Sequence, residues 1–208
     1  MTDINLPVIL FAAFIASGSP GPATLAIAGT SMASGRRSGL ALASGVTTGS
    51  FIWSISAAFG LGAIMAANVW VFEIIRYVGA AYLMWLAIRS ARSAWLGTRL
   101  KTGGLAKSLP RQAYTKGLAL HLTNPKAILF FGALYAIGIP AGAPPSALFT
   151  VILAVGVQSL IMFHLYAVIF SSEPMAAAYT AAKRWFEGFF ALAFGAIAVK
   201  VLTTRVNG

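Results

Sequence analysis

Ser19-Pro20-Gly21-Pro22 interrupts one long apolar run in the first half of the chain, and Thr123-Asn124-Pro125-Lys126 interrupts another in the second half. Proline inside a helix removes a backbone donor, and its ring collides with the carbonyl four residues back, so both runs must stop and restart there. Ser19 is a favoured N-cap and Pro20 a favoured first helical residue; Asn124 and Pro125 repeat that grammar. Two new helix N-termini are expected. Each leaves amides without intrahelical acceptors and carries about half a positive charge, which suits an anionic group such as a carboxylate.

The runs around these breaks belong to a membrane protein. Of 208 residues 59% are hydrophobic and only 9% charged, and the mean hydropathy is +0.83. Lys+Arg number 15 against Asp+Glu 4, a net charge of +11. These cations lie between the apolar segments, so the excess does not point to nucleic acid. Zero cysteines exclude a disulfide-stapled domain, thiolate metal sites and a cysteine nucleophile. Asp3 and the lack of any cation before the first apolar run argue for a retained membrane segment rather than a secretory signal.

Runs long enough to cross about 30 Å of hydrocarbon fall at 5–32, 39–66, 69–88, 114–137, 147–171 and 185–204. The chain is therefore expected to be all-α, with six transmembrane helices of which the first and fourth are broken. Lys and Arg concentrate on cytoplasmic loops. Arg36 and Arg37, the stretch 89–112, and Lys183 with Arg184 mark three such loops, whereas 66–68 and 138–145 carry no charge. Both termini then lie outside. Lys200 and Arg205 oppose this assignment, and a five-span form with the N-terminus inside is the alternative. The basic loop 89–112 reads as a solvated connector that also touches anionic headgroups.

Three spans per half force two homologous halves into opposite orientations, the construction of many secondary transporters. The expected single transmembrane domain, 1–208, divides into repeat one at about 1–96 and repeat two at about 113–208. The stretch from Arg76 to Leu83 aligns with the stretch from Ala193 to Val199, placing Gly79 on Gly195 and Arg89 on Arg205. A rival alignment pairs Gly39-Leu40-Ala41-Leu42 with Gly117-Leu118-Ala119-Leu120. Roughly ten to fourteen residues precede each break, or some 15–20 Å of helix, which puts both near the bilayer midplane.

The substrate-binding candidates are Ser19, Pro20, Gly21, Pro22, Asn124, Pro125 and Lys126. An ammonium beyond a helix break must face protein or water. Lys126 reads either as partner of a substrate carboxylate or as a donor to carbonyls freed by the break. His121, one helical turn before Asn124, and His164, near Gln158 and Ser159, are candidate proton relays because imidazole titrates near neutrality; the plainer reading of each is an interhelical hydrogen bond. Glu73 with Arg76, and Glu187 near Lys183 and Arg184, read as interfacial charges. Gly45 and Gly49 form a small-residue face for close helix packing, and Trp70, Trp95 and Trp185 read as interface anchors.

Taken in order, Ser19-Pro20-Gly21-Pro22, Gly35-Arg36-Arg37-Ser38-Gly39-Leu40, Gly45, Gly49, Gly79-Ala80-Ala81-Tyr82-Leu83 and Asn124-Pro125-Lys126-Ala127 with Phe130-Phe131 resemble the LysE/RhtB family of bacterial amino-acid exporters, on its RhtB-like branch. The resemblance covers nearly the whole chain. It implies export of amino acids or close derivatives across the bacterial inner membrane, with both proline motifs functional. Family members often carry Asn after the first motif and an acid beside the second glycine of segment two. Ala23 and Ser50 stand there instead, which weakens the case for a cationic substrate or carboxylate-based ion coupling.

An intramembrane enzyme would need a nucleophile with its base, a carboxylate pair or a metal cluster within the spans, and the four scattered acids supply none. A non-catalytic membrane subunit is the competing reading, as is an exporter of another small metabolite. No cofactor or metal is expected. The implied partners are an amino acid or derivative, a coupling ion, most simply a proton, and the lipid bilayer; a homo-oligomer is left open, and nucleic acid is excluded.

Overall fold

The computed structural model describes residues 4–67, 69–96, 108–140 and 143–203. Among them the protein is all helix: α1 (Leu6–Gly18), α2 (Pro22–Ala67), α3 (Val69–Leu96), α4 (Pro110–Leu122), α5 (Pro125–Gly138), α6 (Pro145–Ile169) and α7 (Glu173–Thr203). By length and composition, 22–60 and α6 can cross a membrane, while α1 and most of α5 are shorter apolar helices. With 13 and 14 residues, α1 and α5 each reach about 20 Å, roughly half to two thirds of a crossing.

The first connection differs from the sequence expectation of a loop through 33–38. Helix α2 is continuous except at Gly35, whose φ of 80° and ψ of 174° lie outside the helical region. This combination of positive φ and extended ψ is open to glycine and costs other residues about 1–3 kcal/mol. A single residue folds the chain back so tightly that a Cβ on Gly39 would lie 2.0 Å from Ser31 Oγ. Arg36 and Arg37 are exposed on the first turn after the bend. Ser38 Oγ donates to the Ser108 carbonyl (2.8 Å), and the Ser108 amide donates to Ser34 Oγ (3.0 Å), tying the start of the second half to this bend.

Two further boundaries move. Helix α3 runs to Leu96, so Arg89 and Arg92 sit on a helix and not in a loop, and α7 begins at Glu173, so Lys183 and Arg184 do as well. Much of the basic stretch, 97–107, lies outside the described residues, as do Arg205 and the side chains of Glu73, Arg76 and Lys200. Trp70, Trp95 and Trp185 are highly exposed.

In hydrocarbon, lipid is as apolar as leucine, so close backbone contact and interhelical hydrogen bonds hold a bundle together. Helix α2 packs most extensively on α4 and α6, and α3 on α7. At the α2–α4 crossing a Cβ on Gly45 would stand 2.1 Å from the Tyr114 carbonyl oxygen, and one on Gly117 would stand 2.3 Å from that of Leu42. Tyr114 adds a hydroxyl bond to Thr48 Oγ1 (3.1 Å). Polar side chains such as Thr30, Ser38, Thr47, Ser50 and Ser54 are buried, whereas Phe11, Phe149, Ile161 and Leu192 face outward. Large apolar groups outside and hydroxyls inside suit a lipid-embedded helical protein.

One apolar cluster joins Ile15, Leu86, Phe130, Val155 and Phe194; a second joins Ile27, Leu42, Val46, Phe163 and Tyr166. The two helix breaks lie where these clusters meet.

Candidate functional site

At the first break Ser19 ends α1 instead of starting the next helix. It is the C-cap, its amide donating to the Ile15 carbonyl, and α2 starts only at Pro22. The physical reason is the second proline, because the residue before a proline is pushed out of the α region. Gly21 precedes Pro22, so a helix begun at Pro20 would fail one residue later. Thr24 Oγ1 serves as the local cap, accepting the Gly21 amide at 2.8 Å and donating to the Gly21 carbonyl at 3.1 Å. At the second break Asn124 is the N-cap and Pro125 opens α5, in agreement with the sequence. Asn124 Oδ1 accepts the Lys126 amide (3.0 Å), and the Asn124 carbonyl accepts the Ala127 amide (2.9 Å).

Lys126 joins the two breaks. Its Nζ donates to the Ser19 carbonyl at 3.1 Å and to the Ser19 hydroxyl. Its stem lies along Gly21, where an added Cβ would come within 3.2 Å of Lys126 Cδ. Of its two sequence readings, donation to a freed carbonyl is the contact observed, and that carbonyl belongs to the opposite break. A second carbonyl at the end of α1, that of Gly18, takes the buried Tyr166 hydroxyl.

Cavities flank this junction. On one side a small space of about 50 Å³ touches Ser19, Gly21, His121, Asn124, Lys126 and Ser159 and is otherwise walled by apolar side chains including Phe130 and Phe163. On the other a vestibule of about 560 Å³ is bounded by the first break, Lys126, Arg89, Arg92, Lys183 and Glu187. The vestibule lies toward the end of α3 that leads into residues 97–107. Ser19, Gly21 and Lys126 border both spaces, so the ammonium and its carbonyl partner form the partition between them.

His121 is buried beside the partition. Its Nε2 is 3.0 Å from Ser50 Oγ, and among the described residues its Nδ1 has no hydrogen-bond partner. Its carbonyl accepts Trp53 Nε1 (3.3 Å) and the Asn124 amide (3.2 Å). Thus Ser50, standing where an acid would be expected from the resemblance, holds the imidazole. His164 lies elsewhere, between Ser44 Oγ (3.0 Å) and the Leu160 carbonyl (2.8 Å), and lines neither cavity.

Sequence reasoning missed the vestibule's charged wall. Glu187 was expected at the interface, yet it is 5% exposed and Lys183 7%. Glu187 Oε1 stands 3.7 Å from Lys183 Nζ and accepts the Ser93 hydroxyl at 3.0 Å. The i,i+4 spacing of Lys183 and Glu187 was a usable signal, but which face of α7 carries them depends on α3. Among the described residues no group of three His, Asp or Glu is placed to hold a metal ion.

A helical protein with a hydrocarbon-facing exterior and two interrupted helices meeting between two cavities has the construction of a membrane translocator. The chain belongs to the LysE type translocator family, which it matches over residues 14–205. It is an integral membrane transporter of that family and not an enzyme. It is similar to the threonine efflux protein of Salmonella typhimurium, 26% identical over 198 residues, covering 92% of this chain and 94% of that protein. It also resembles the leucine efflux protein of an Enterobacter species, 31% identical over 169 residues (81% and 79% of the two chains). The homoserine/homoserine lactone efflux protein of Salmonella typhimurium is 33% identical over 127 residues, 61% of this chain and 60% of that one. No solved structure matches the chain.

Proposed function

We propose that the protein exports amino acids or close derivatives from the cytoplasm across the bacterial inner membrane, by proton antiport, with the substrate carboxylate received at the junction of the two helix breaks. The observation that carries this reading is Lys126 itself. A cation reaches from one broken helix to the other and stands at the partition between two cavities. The relatives' names supply the substrate class.

The scaffold for this reading is six spans in two inverted repeats. Helix α1, the break and 22–34 form span one; α4, the break and α5 form span four. Their entering arms have equal length, 13 residues each. Each entering arm packs on the second span of the other half, α1 on α6 and α4 on α2, while the third spans, α3 and α7, pack on each other. The vestibule then opens to the cytoplasm, where loop charge places 97–107.

In this mechanism the carboxylate enters from the vestibule and takes the Lys126 ammonium away from the Ser19 carbonyl. The amides of Ala23 and Thr24, in the first turn of α2, add donors and the positive end of the helix dipole. Freed from Ser19, the partition no longer ties α1 to α5, and the small cavity becomes continuous with the vestibule. His121, with Nδ1 unpartnered at that cavity, is the proton relay; His164 takes no part.

Purified protein in proteoliposomes tests the reading with L-threonine, L-homoserine and L-leucine. Uphill movement driven by an imposed proton gradient and abolished by a protonophore is expected. Failure of the whole panel to move would overturn amino-acid export, and uphill movement without any ion gradient would overturn antiport. Reporters fused within 98–108 and 139–145 should report opposite sides; the same side for both would eliminate six inverted spans.

A further inference from the structure

Among the described residues the vestibule wall contains one carboxylate, Glu187, and four cations, Arg89, Arg92, Lys126 and Lys183. Lys126 lies on α5, and Glu187 lies on α7 facing the same space. Glu187 is anchored rather than loose: Ser93 Oγ of α3 donates to its Oε1, and the Lys183 ammonium stands one turn away on α7 and itself donates to Ser93 Oγ at 3.2 Å. A carboxylate fixed on its α3 side and bordering a cavity is a ready acceptor for a cationic group that enters that cavity.

Stability does not explain the arrangement. Taking two charges out of water costs several kcal/mol per ion, and a buried pair is often no better than well-packed apolar residues. A buried ionisable pair that borders a cavity therefore calls for a role other than stability. Four cations against one acid leave the vestibule strongly positive, which favours a substrate carboxylate and repels a substrate with net positive charge.

Resting on the export reading above, we propose that Glu187 is the seat for the substrate's α-ammonium, so that Lys126 and Glu187 together read the zwitterionic head of an α-amino acid. The pair favours compounds carrying both groups and a side chain without positive charge. Ser93 and Lys183 are positioning residues that hold the carboxylate toward the vestibule. The excess of cations excludes lysine and arginine as substrates.

The test compares L-leucine and L-threonine with their 2-hydroxy-acid counterparts, which keep the carboxylate and side chain but lack the ammonium. Each is used as a competitor of radiolabelled amino-acid counterflow in proteoliposomes. The wild type should prefer the amino acid at least tenfold. Glu187→Gln should abolish that preference, chiefly by weakening the amino acid. Because Glu187→Gln leaves the buried Lys183 ammonium without its carboxylate, which would destabilise the protein, the double variant K183M/E187Q is the control. It restores thermal stability in detergent, and the preference stays lost. If the double variant regains the wild-type preference, or if Glu187→Gln keeps it, the ammonium seat is wrong while export stands. If lysine competes as well as leucine in the wild type, the proposed charge exclusion is wrong. If no panel member moves through the wild type, the export reading fails and this proposal fails with it.

Discussion

At the first break the carbonyl end is occupied, while at the amide end Gly21 and Leu25 are bonded but, among the described residues, Ala23 and Thr24 are not; at the second break both ends are occupied. The end of α1 gives its Gly18 carbonyl to Tyr166 and its Ser19 carbonyl to Lys126. Among the described residues, the amides of Ala23 and Thr24 at the start of α2 make no bond like those that Lys126 and Ala127 make to Asn124. At the second break the His121 carbonyl already serves Trp53 and Asn124. Two motifs of similar composition therefore differ in construction: the second mounts one cation on a capped helix start, and the first offers that cation its carbonyl; in the proposed mechanism the first is also the receiving surface. The difference traces to one residue on each side of a proline. Counting from the first helical residues, Pro22 and Pro125, Gly21 stands opposite Asn124 and Ala23 opposite Lys126.

The largest effect is expected where the breaks differ most. Lys126→Gln should leave insertion intact, because the neutral amide costs less to bury than the ammonium. It should weaken carboxylate-bearing substrates by two to four orders of magnitude, the worth of about two charge-assisted bonds at roughly 1.5–3 kcal/mol each. Substrate esters should lose much less. Concentration dependence of counterflow for acid and ester checks this. Unchanged apparent affinity for the acid would leave Lys126 a plain structural tie between α1 and α5.

A second effect concerns how each entering arm is held. Helix α4 is locked on α2 by two glycines at backbone distance, whereas at the end of α1 Gly18 abuts side chains, the edge of the Phe190 ring at 3.2 Å and Met162 Cε at 3.6 Å from an added Cβ. Gly45→Ala must displace the backbone at Tyr114 and should cost about 2–3 kcal/mol of stability. Gly18→Ala, where a ring can give, should cost under about 1 kcal/mol. Thermal unfolding in detergent orders the pair; equal losses would mean that both arms are equally free to move.

The membrane class and the broken helices were legible because both rest on local chemistry: apolar run length, proline, and the cap at Asn124. The misplaced start of the second arm was also local, since the rule that restricts the residue before proline applies to Gly21 and shifts the start to Pro22. The Gly35 bend was hidden because glycines are common in membrane helices and only the φ value distinguishes a hinge from a packing residue. The i,i+4 spacing of Lys183 and Glu187 on α7 pointed to a pair but not to its burial. Their exposure is decided by α3, whose Ser93 meets them from a position some ninety residues away. The stretches 76–83 and 193–199 lie on α3 and α7, which pack on each other, while Gly39 and Gly117 lie at the bend and at the α2–α4 crossing.

A smaller effect separates the two caps. Asn124→Ala removes the acceptor of the Lys126 amide and loosens the mount. Loss of an N-cap costs about 1 kcal/mol, which should appear as roughly a fivefold loss of affinity together with lower stability.

The last effect is expected to have the opposite sign, at the residue that resembles Asn124 in the sequence and does a different job in the structure. Ser19 meets Lys126 through both its carbonyl and its hydroxyl, and the hydroxyl also donates to the Ala16 carbonyl at 3.3 Å. Ser19→Ala removes the hydroxyl and keeps the carbonyl, so the ammonium retains its acceptor at the end of α1. One net hydrogen bond of about 0.5–1.5 kcal/mol is lost from the substrate-free state. A carboxylate that must draw Lys126 away from Ser19 then competes against a weaker tie. Affinity for the substrate should therefore stay level or rise by up to about tenfold, opposite in sign to Asn124→Ala. Counterflow with both variants in parallel decides the matter. A fall in affinity for Ser19→Ala comparable to that for Asn124→Ala would show that the serine hydroxyl itself holds substrate, and that the first break is more than a surface on which the second break's lysine rests.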